Sequence, residues 1–249
     1  MANFTIRLKE VREIATDTWA LSFVKPSGFT YEAGQYVALV VPKLVKPDPK
    51  GAVRSFSIAS APYEEELLFA FRNSRSGFKE TLLAMKPGDT AEITKPVGHF
   101  TLSHASDGNP IVFLVGGIGI TPVRSILKQA EHNGAARELS VFYSNRHKGD
   151  AAFDEELRSV KLSGLRYVTT CSQDPTAPTD THEERGYINE PMLLKYLGSE
   201  HLLENWYYLV GAPAFIEAMK AMLGGLGVPK ERLVVDPFAG LSSAQKKGE

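Results

Sequence analysis

The chain has 249 residues, of which 43% are hydrophobic, 23% charged and 10% aromatic, as in a globular protein with one large domain or two small ones. Its 28 Lys and Arg residues nearly balance 29 Asp and Glu residues, and the net charge of -1 argues against a nucleic-acid partner. The single cysteine, Cys171, excludes an intrachain disulfide, a four-cysteine zinc site and a cysteine-ligated iron–sulfur cluster within this sequence. No apolar run approaches the roughly 18 residues of a membrane span, and the N-terminus is too polar for a signal peptide, so we expect a cytoplasmic protein.

The first hundred residues predict short strands separated by glycine and proline. The predicted strands are Thr5–Val11, Trp19–Val24, Tyr36–Val41, Arg54–Ser60, Leu67–Phe71 and Thr90–Thr94. One helix, Phe78–Met85, interrupts them and is ended by Pro87 and Gly88. This pattern predicts a small antiparallel β-barrel over residues 1–104.

From residue 109 to residue 241 the pattern alternates between strands and helices. The predicted strands are Ile111–Val115, Leu139–Tyr143, Leu165–Thr170, Trp206–Val210 and Arg232–Val235. The predicted helices are Val123–Ala130, Phe153–Val160, Pro191–Leu197 and Pro213–Leu223. The alternation predicts an α/β domain with a parallel sheet of five or more strands, covered on both faces. The polar stretch 172–185 is predicted to be a surface loop, and residues 242–249 a disordered tail.

Three glycines, Gly116, Gly117 and Gly119, follow the first buried strand of the α/β region. Thr121 is predicted to cap the next helix, with Pro122 at its first position. A strand, a glycine turn and a helix present backbone N–H groups to an anion, which favours a nucleotide site over a plain steric turn. The turn departs from the usual dinucleotide fingerprint, because Pro122 stands where a third glycine would fall.

The second predicted strand of this region also lacks the acidic residue that usually follows it. It is followed instead by Ser144, Arg146 and Lys148, whose hydroxyl and cations could hold a ribose or its 2′-phosphate. The alternative for these residues is a solvated loop.

The strand Arg54–Ser60 combines a cation, an aromatic ring and three hydroxyls. The Arg54 guanidinium could clamp a phosphate with two hydrogen bonds. Phe56 offers a flat apolar face, and Ser57 a hydrogen-bond donor and acceptor. Taken alone, the strand is equally explained as an edge strand with a solvated arginine.

RSFSIAS at Arg54–Ser60, followed by GGIGITP at Gly116–Pro122, resembles the ferredoxin–NADP reductase family. The similarity runs over nearly the whole chain, from about Phe4 to Gly240. The family pairs a flavin-binding barrel with a nicotinamide-binding α/β domain, and its active site lies between them. The resemblance therefore implies a flavin domain over residues 1–104 and an NAD(P)-binding domain over residues 109–241.

The resemblance also assigns roles to individual residues. In the flavin domain, Arg54 is similar to the arginine that holds the flavin phosphates, Phe56 stands where the family usually has tyrosine against the isoalloxazine, and Ser57 is similar to the serine near flavin N5. The turn that would cradle the pyrophosphate contains Gly77, Phe78 and Lys79. The nicotinamide side would be formed by Gly116, Gly117, Gly119, Thr121 and Gly211, with Ser144 and Arg146 at the adenosine end. Phe238 would cover the far face of the flavin, and Ser57 and Thr121 are the candidate catalytic residues.

The implied function is that of an FAD-dependent NAD(P)H oxidoreductase, which accepts a hydride on flavin N5. Electrons would then leave to a separate acceptor, such as a ferredoxin, an oxygenase component or a small oxidant. The family and the Gly77 turn favour FAD over FMN, and the missing acid favours NADPH over NADH. The six histidines lack ligand spacing, so no metal site is predicted. The alternatives are a non-catalytic electron-transfer subunit of a larger redox complex and a nucleotide-binding sensor without turnover.

Overall fold

The computed structural model describes residues 3–174 and 182–237, which build two six-stranded sheets. The first sheet is antiparallel, with strand order β4-β3-β6-β1-β2-β5. Its elements are β1 (Phe4–Ala15), β2 (Thr18–Val24), β3 (Tyr36–Val40), β4 (Val53–Ser57), β5 (Glu66–Arg72), α1 (Gly77–Ala84) and β6 (Thr90–Ile93). This sheet confirms the predicted antiparallel architecture of the first half.

The first sheet is barrel-like rather than a fully paired barrel. Just beyond the end of β4, the N–H of Ala59 donates to the carbonyl of Leu68 in the other end strand, β5, at 2.8 Å. Strand β4 ends at Ser57, three residues before the predicted end at Ser60, because the chain leaves the β3 ladder there and turns toward β5. Alternating residues such as Val37, Leu39 and Phe69 fill the interior, which follows from the two-residue side-chain period of strands.

The second sheet is parallel throughout, with strand order β10-β9-β8-β7-β11-β12. Its strands are β7 (Ile111–Gly116), β8 (Leu139–Asn145), β9 (Leu165–Cys171), β10 (Glu183–Arg185), β11 (Trp206–Gly211) and β12 (Leu233–Pro237). Its helices are α2 (Ile120–His132), α3 (Asp154–Arg158), α4 (Glu190–Leu197) and α5 (Pro213–Gly225). The predicted parallel α/β fold is confirmed, and the strand order reverses between β7 and β11, where open parallel sheets bind ligands.

Two expectations for the second half need correction. The stretch 172–185, predicted to be a loop, includes β10, whose three residues extend the sheet by pairing with β9. Helix α2 begins at Ile120 and is preceded by a 3-10 turn, Gly117–Gly119, so Thr121 lies inside the helix and does not cap it. The predicted tail 242–249 lies outside the described residues. Among the described residues, no helix has the length and apolar character needed to cross a membrane.

The two sheets are fastened to each other by polar contacts from α2. The Arg124 guanidinium donates to the Ala59 carbonyl at 2.8 Å and pairs with Glu64 and Glu156 at 2.9 and 2.6 Å. The Ser125 hydroxyl donates to the Ser60 carbonyl at 2.6 Å. Because α2 also begins at the glycine turn, these contacts set the position of that turn relative to the end of β4.

The opposite side of the cleft has its own contacts between the halves. Arg72 of β5 pairs with Asp150 at 2.7 Å, and the N–H of Thr16 donates to the Gly149 carbonyl at 2.9 Å. The segment after β8 is thereby held against the first sheet. The domain limits at residues 104 and 109 stay a prediction, and they fall in the connection between β6 and β7.

Candidate functional site

A cavity of about 780 Å³ lies between the two sheets, at the carboxyl ends of β7, β8 and β11. This volume is within the range of small-molecule and cofactor sites, and the position is the strand-order switch point. The predicted site residues that line it are Arg54, Phe56, Ser57, Lys79, Gly116, Gly117, Gly119, Ser144, Arg146 and Gly211. Residues that were over 150 positions apart in the sequence therefore share one chamber.

Arg54 is held firmly at the first-sheet end of the cavity. Its Nη1 donates to the carbonyls of Lys50, Gly51 and Val53 at 2.7, 3.0 and 2.6 Å. Its Nη2 pairs with Asp48 at 2.6 Å, and its guanidinium carbon lies 5.1 Å from the centre of the Phe78 ring. The three backbone carbonyls fix Nη1, so the guanidinium loses little further freedom when it binds an anion.

The amino end of α1 lies beside Arg54. Ser76 caps the helix by accepting from the N–H of Lys79, while Asp48 accepts from the N–H of Phe78 at 2.9 Å. The hydrogen bonds from the backbone N–H groups of Phe78 and Lys50 lower the pKa of Asp48 to about 2, so this carboxyl is ionised at neutral pH. Gly77 and Phe78 themselves are buried and do not line the cavity.

Lys79 contributes a second cation to this end of the cavity. Its ammonium donates to the Arg72 carbonyl and lies 5.7 Å from the centre of the Phe71 ring. Burial lowers the pKa of Lys79, and the nearby positive charge of Arg54 adds to the shift. An anion in the cavity would raise the pKa of Lys79 again, because it stabilises the charged form.

Phe56 and Ser57 form the middle of the first-sheet wall. The Phe56 ring packs edge-on against Phe69 and Phe71, with centroids 6.1 and 6.2 Å apart, and reaches the cavity with its remaining surface. The Ser57 hydroxyl lines the cavity and donates to the carboxylate of Asp236 at 3.4 Å. Burial raises the pKa of Asp236 to about 6, while the hydrogen bond from Ser57 opposes the shift. A serine backed by a carboxyl that titrates near neutral pH can hold or exchange a proton at Oγ.

The glycine turn forms the opposite wall. Gly117 has a φ of +53° and open space around it, so its backbone faces the cavity without a side chain. A Cβ on Gly119 would lie 2.8 Å from the Val210 carbonyl oxygen, so only glycine lets the turn approach β11 this closely. Gly211, with a φ of +150°, faces Gly116 across the switch point in the same way. Thr121 is 1% exposed, donates to the Ile118 carbonyl at 3.2 Å and does not line the cavity.

Ser144, Asn145 and Arg146 line the far end of the cavity, together with Ser172 of the next strand connection. The Oδ1 atom of Asn145 is buried and has no hydrogen-bond partner among the described residues, which fits a site for a ligand hydroxyl or amide. Lys148 does not line this cavity; its ammonium lies 3.4 Å from the carboxylate of Glu183. Arg146 is therefore the cation of the predicted pair that reaches the chamber.

The structure adds residues that sequence reasoning did not assign. Asp48 lies in a proline-containing connection whose path no motif revealed, and Phe215 reaches the cavity from α5. Asp236 directly follows the predicted strand Arg232–Val235, and Asn145 lies between Ser144 and Arg146, but only the fold shows their burial. Phe238 lies outside the described residues. The donor set suits an elongated ligand with phosphates near Arg54 and Lys79, an apolar middle and hydroxyls at the Asn145 end. The roles of the site residues stay predictions.

Comparison with known proteins agrees with this geometry. Residues 113–221 match the family model of the oxidoreductase NAD-binding domain. The chain is 30% identical over 246 residues to ferredoxin–NADP reductase B of Sorangium cellulosum, covering 94% of this chain and 97% of that protein. It is 25% identical to the toluate 1,2-dioxygenase electron transfer component of Pseudomonas putida, covering 96% of this chain and 68% of that protein.

A solved structure of similar fold is the ferredoxin NADP+ reductase from Neisseria gonorrhoeae with bound FAD and NADP. It superposes with a TM-score of 0.76 at 19% identity, covering 96% of this chain and 99% of the other. The chain spans about half the length of the flavohemoproteins that it matches. Because its similarity to a ferredoxin–NADP reductase extends over nearly the full length of both chains, this chain belongs to the ferredoxin–NADP reductase family of FAD-dependent NAD(P)H oxidoreductases.

Proposed function

We propose that this chain carries electrons from NADPH, through FAD in the cavity between the sheets, to a separate acceptor. The acceptor would be an electron-carrier protein such as a ferredoxin, an oxygenase component or a small oxidant. The observation that carries the proposal is the shared chamber, in which the Arg54–Ser57 edge of the first sheet faces the Gly116–Gly119 turn of the second. Catalysis of hydride transfer depends largely on holding the flavin and the nicotinamide face to face, which such a chamber would do.

The chemistry that the flavin supplies when bound is acceptance of a hydride from reduced nicotinamide and release of the electrons to the acceptor. Arg54 and Lys79 would hold its phosphates by charge, and Phe56 would contact its ring. The Ser57 hydroxyl, backed by Asp236 at 3.4 Å, would hold a proton beside the reacting atoms. The glycine turn would bind the nicotinamide nucleotide through backbone N–H groups that no side chain obstructs.

The preference for NADPH rests on Arg146. Ser144, Asn145 and Arg146 line the far end of the cavity, and none of them carries a negative charge that would repel a 2′-phosphate. Arg146 is exposed at the cavity. A guanidinium can bind a phosphate with two parallel hydrogen bonds. Arg146→Ala should therefore raise the KM for NADPH by roughly 10- to 100-fold, while the KM for NADH changes little. Lys148→Ala, next to it but off the cavity, is the matched control.

Equal weakening of both coenzymes by Arg146→Ala would contradict the phosphate role and favour stacking of the guanidinium on adenine. A wild-type preference for NADH by about tenfold would contradict the NADPH assignment itself. Steady-state kinetics with each coenzyme distinguish these outcomes.

The absorption spectrum of the purified chain tests the function as a whole. Flavin bands are expected at one flavin per chain, and they should bleach when NADPH is added without oxygen. Release of the flavin by heating, followed by chromatography, distinguishes FAD from FMN. Bands that reappear on addition of an oxidised ferredoxin would support onward transfer to a protein acceptor. A chain that binds no flavin would contradict the proposal, and one that binds flavin and NADPH without bleaching would be a sensor.

A further inference from the structure

Residues 42–52, within the connection between β3 and β4, cross the amino end of α1. The N–H of Val45 donates to the Thr81 hydroxyl at 2.9 Å, which fastens the connection to the helix. The Pro47 carbonyl oxygen would lie 2.7 Å from a Cβ on Gly77, so the absence of a side chain there lets the two backbones touch. The connection carries Asp48 into the space between Arg54 and α1.

The Asp48 side chain is 3% exposed and takes donors from both neighbours. Its Oδ1 pairs with Arg54 Nη2 at 2.6 Å and accepts from the N–H of Lys50 at 2.9 Å. Its Oδ2 accepts from the N–H of Phe78, in the first turn of α1, at 2.9 Å. The carboxylate thus binds one guanidinium nitrogen and a helix amino end together.

These are the donors that a phosphate group takes. Helix amino ends bind anions through their free N–H groups, and the arginine fork pairs with phosphate as readily as with carboxylate. Asp48 stays ionised, because its hydrogen bonds hold its charge in place. A phosphate and the Asp48 carboxylate would repel each other in this space, so the two cannot share the donors.

We propose that Asp48 determines how tightly the chain holds its flavin, by competing with the flavin phosphates for Arg54 and the amino end of α1. The inference rests on the proposed flavin function. Binding of the flavin displaces Asp48 and moves the connection 42–52 away from α1. The flavin is consequently held more weakly, and exchanges faster, than it would be by the same donors without Asp48.

The test is a titration of FAD into the flavin-depleted full chain, followed by flavin fluorescence. Asp48→Asn keeps the size and one acceptor oxygen but removes the charge, and Asp48→Ser is a second variant should the first fold poorly. Glu10→Gln, at an exposed position of β1, is the control for net charge. We expect the FAD dissociation constant to fall about tenfold or more in the Asp48 variants, as expected for loss of a charged competitor, and not in the control. The same variants should melt at a lower temperature without flavin.

The sign of the change decides the matter. Unchanged or weaker FAD binding by Asp48→Asn would overturn the inference and make Asp48 a support that orients Arg54, while the flavin function stands. Binding of inorganic pyrophosphate, measured by calorimetry, distinguishes failure of the Asp48 competition from failure of the proposed flavin function. If neither the wild type nor Asp48→Asn binds FAD but the variant gains pyrophosphate binding, the competition by Asp48 is supported and the flavin function is contradicted. If neither form binds FAD or pyrophosphate, both proposals fall.

Discussion

Replacing Arg124 with methionine should break the polar contact between the two halves of the molecule and destabilise the folded chain. The guanidinium is 7% exposed and makes five hydrogen bonds, one to the Ala59 carbonyl and two to each of the carboxylates of Glu64 and Glu156. Removing one partner of a buried ion pair costs about 3–5 kcal/mol, because it leaves a charge uncompensated. The carboxylates are 26% and 34% exposed, so water recovers part of the loss. We expect a decrease of about 2–4 kcal/mol in the free energy of unfolding.

Urea unfolding measures this change, with Lys128→Met as the matched control on the same helix. Lys128 pairs with Glu131 at 2.7 Å near the surface, where such pairs contribute at most about 1 kcal/mol. Combining Arg124→Met with Glu64→Gln and Glu156→Gln should restore part of the stability, since no unpaired charges would remain. A loss of less than about 1 kcal/mol in Arg124→Met, equal to the control, would refute the idea that this cluster fastens the halves together.

Three further predictions concern residues that line the cavity or lie directly behind its wall. Ser57→Ala should slow flavin reduction in stopped flow with flavin content unchanged; a wild-type rate would make the hydroxyl merely structural. The pKa of Asp236 is raised by burial from its usual 3.8 to about 6, so wild type should gain stability over Asp236→Asn as pH falls from about 6 toward 4, and a constant difference across that range would contradict the shift. Gly119→Ala should lower the free energy of unfolding by about 1–3 kcal/mol, because its Cβ would lie 2.8 Å from the Val210 carbonyl oxygen. Gly224→Ala in α5, where the space is open, should not destabilise the protein. Equal effects of the two substitutions in thermal melts would contradict the close approach.

The sequence alone determined the architecture and the position of the glycine turn. Apolar runs such as Ile111–Val115, separated by helical periodicity, specify buried parallel strands through burial of side chains on both faces. Apolar residues alternating in Trp19–Val24 predict a half-buried strand; β2 is a strand there, but Ala20, Leu21, Ser22 and Phe23 are all buried, so both of its faces are covered. These patterns are local, so they can be read without knowing what packs against them.

Only the tertiary structure decided which of the predicted residues meet in one cavity. Thr121, predicted from its type to cap α2, lies inside the helix because the preceding glycines form a 3-10 turn. Asp48 and Asp236 looked like ordinary loop and strand carboxylates, yet one lies between Arg54 and α1 and the other behind Ser57. Local patterns determine secondary structure through side-chain periodicity and backbone sterics, whereas the charge state and partners of a carboxyl depend on burial and on residues distant in sequence, which only the folded chain brings together.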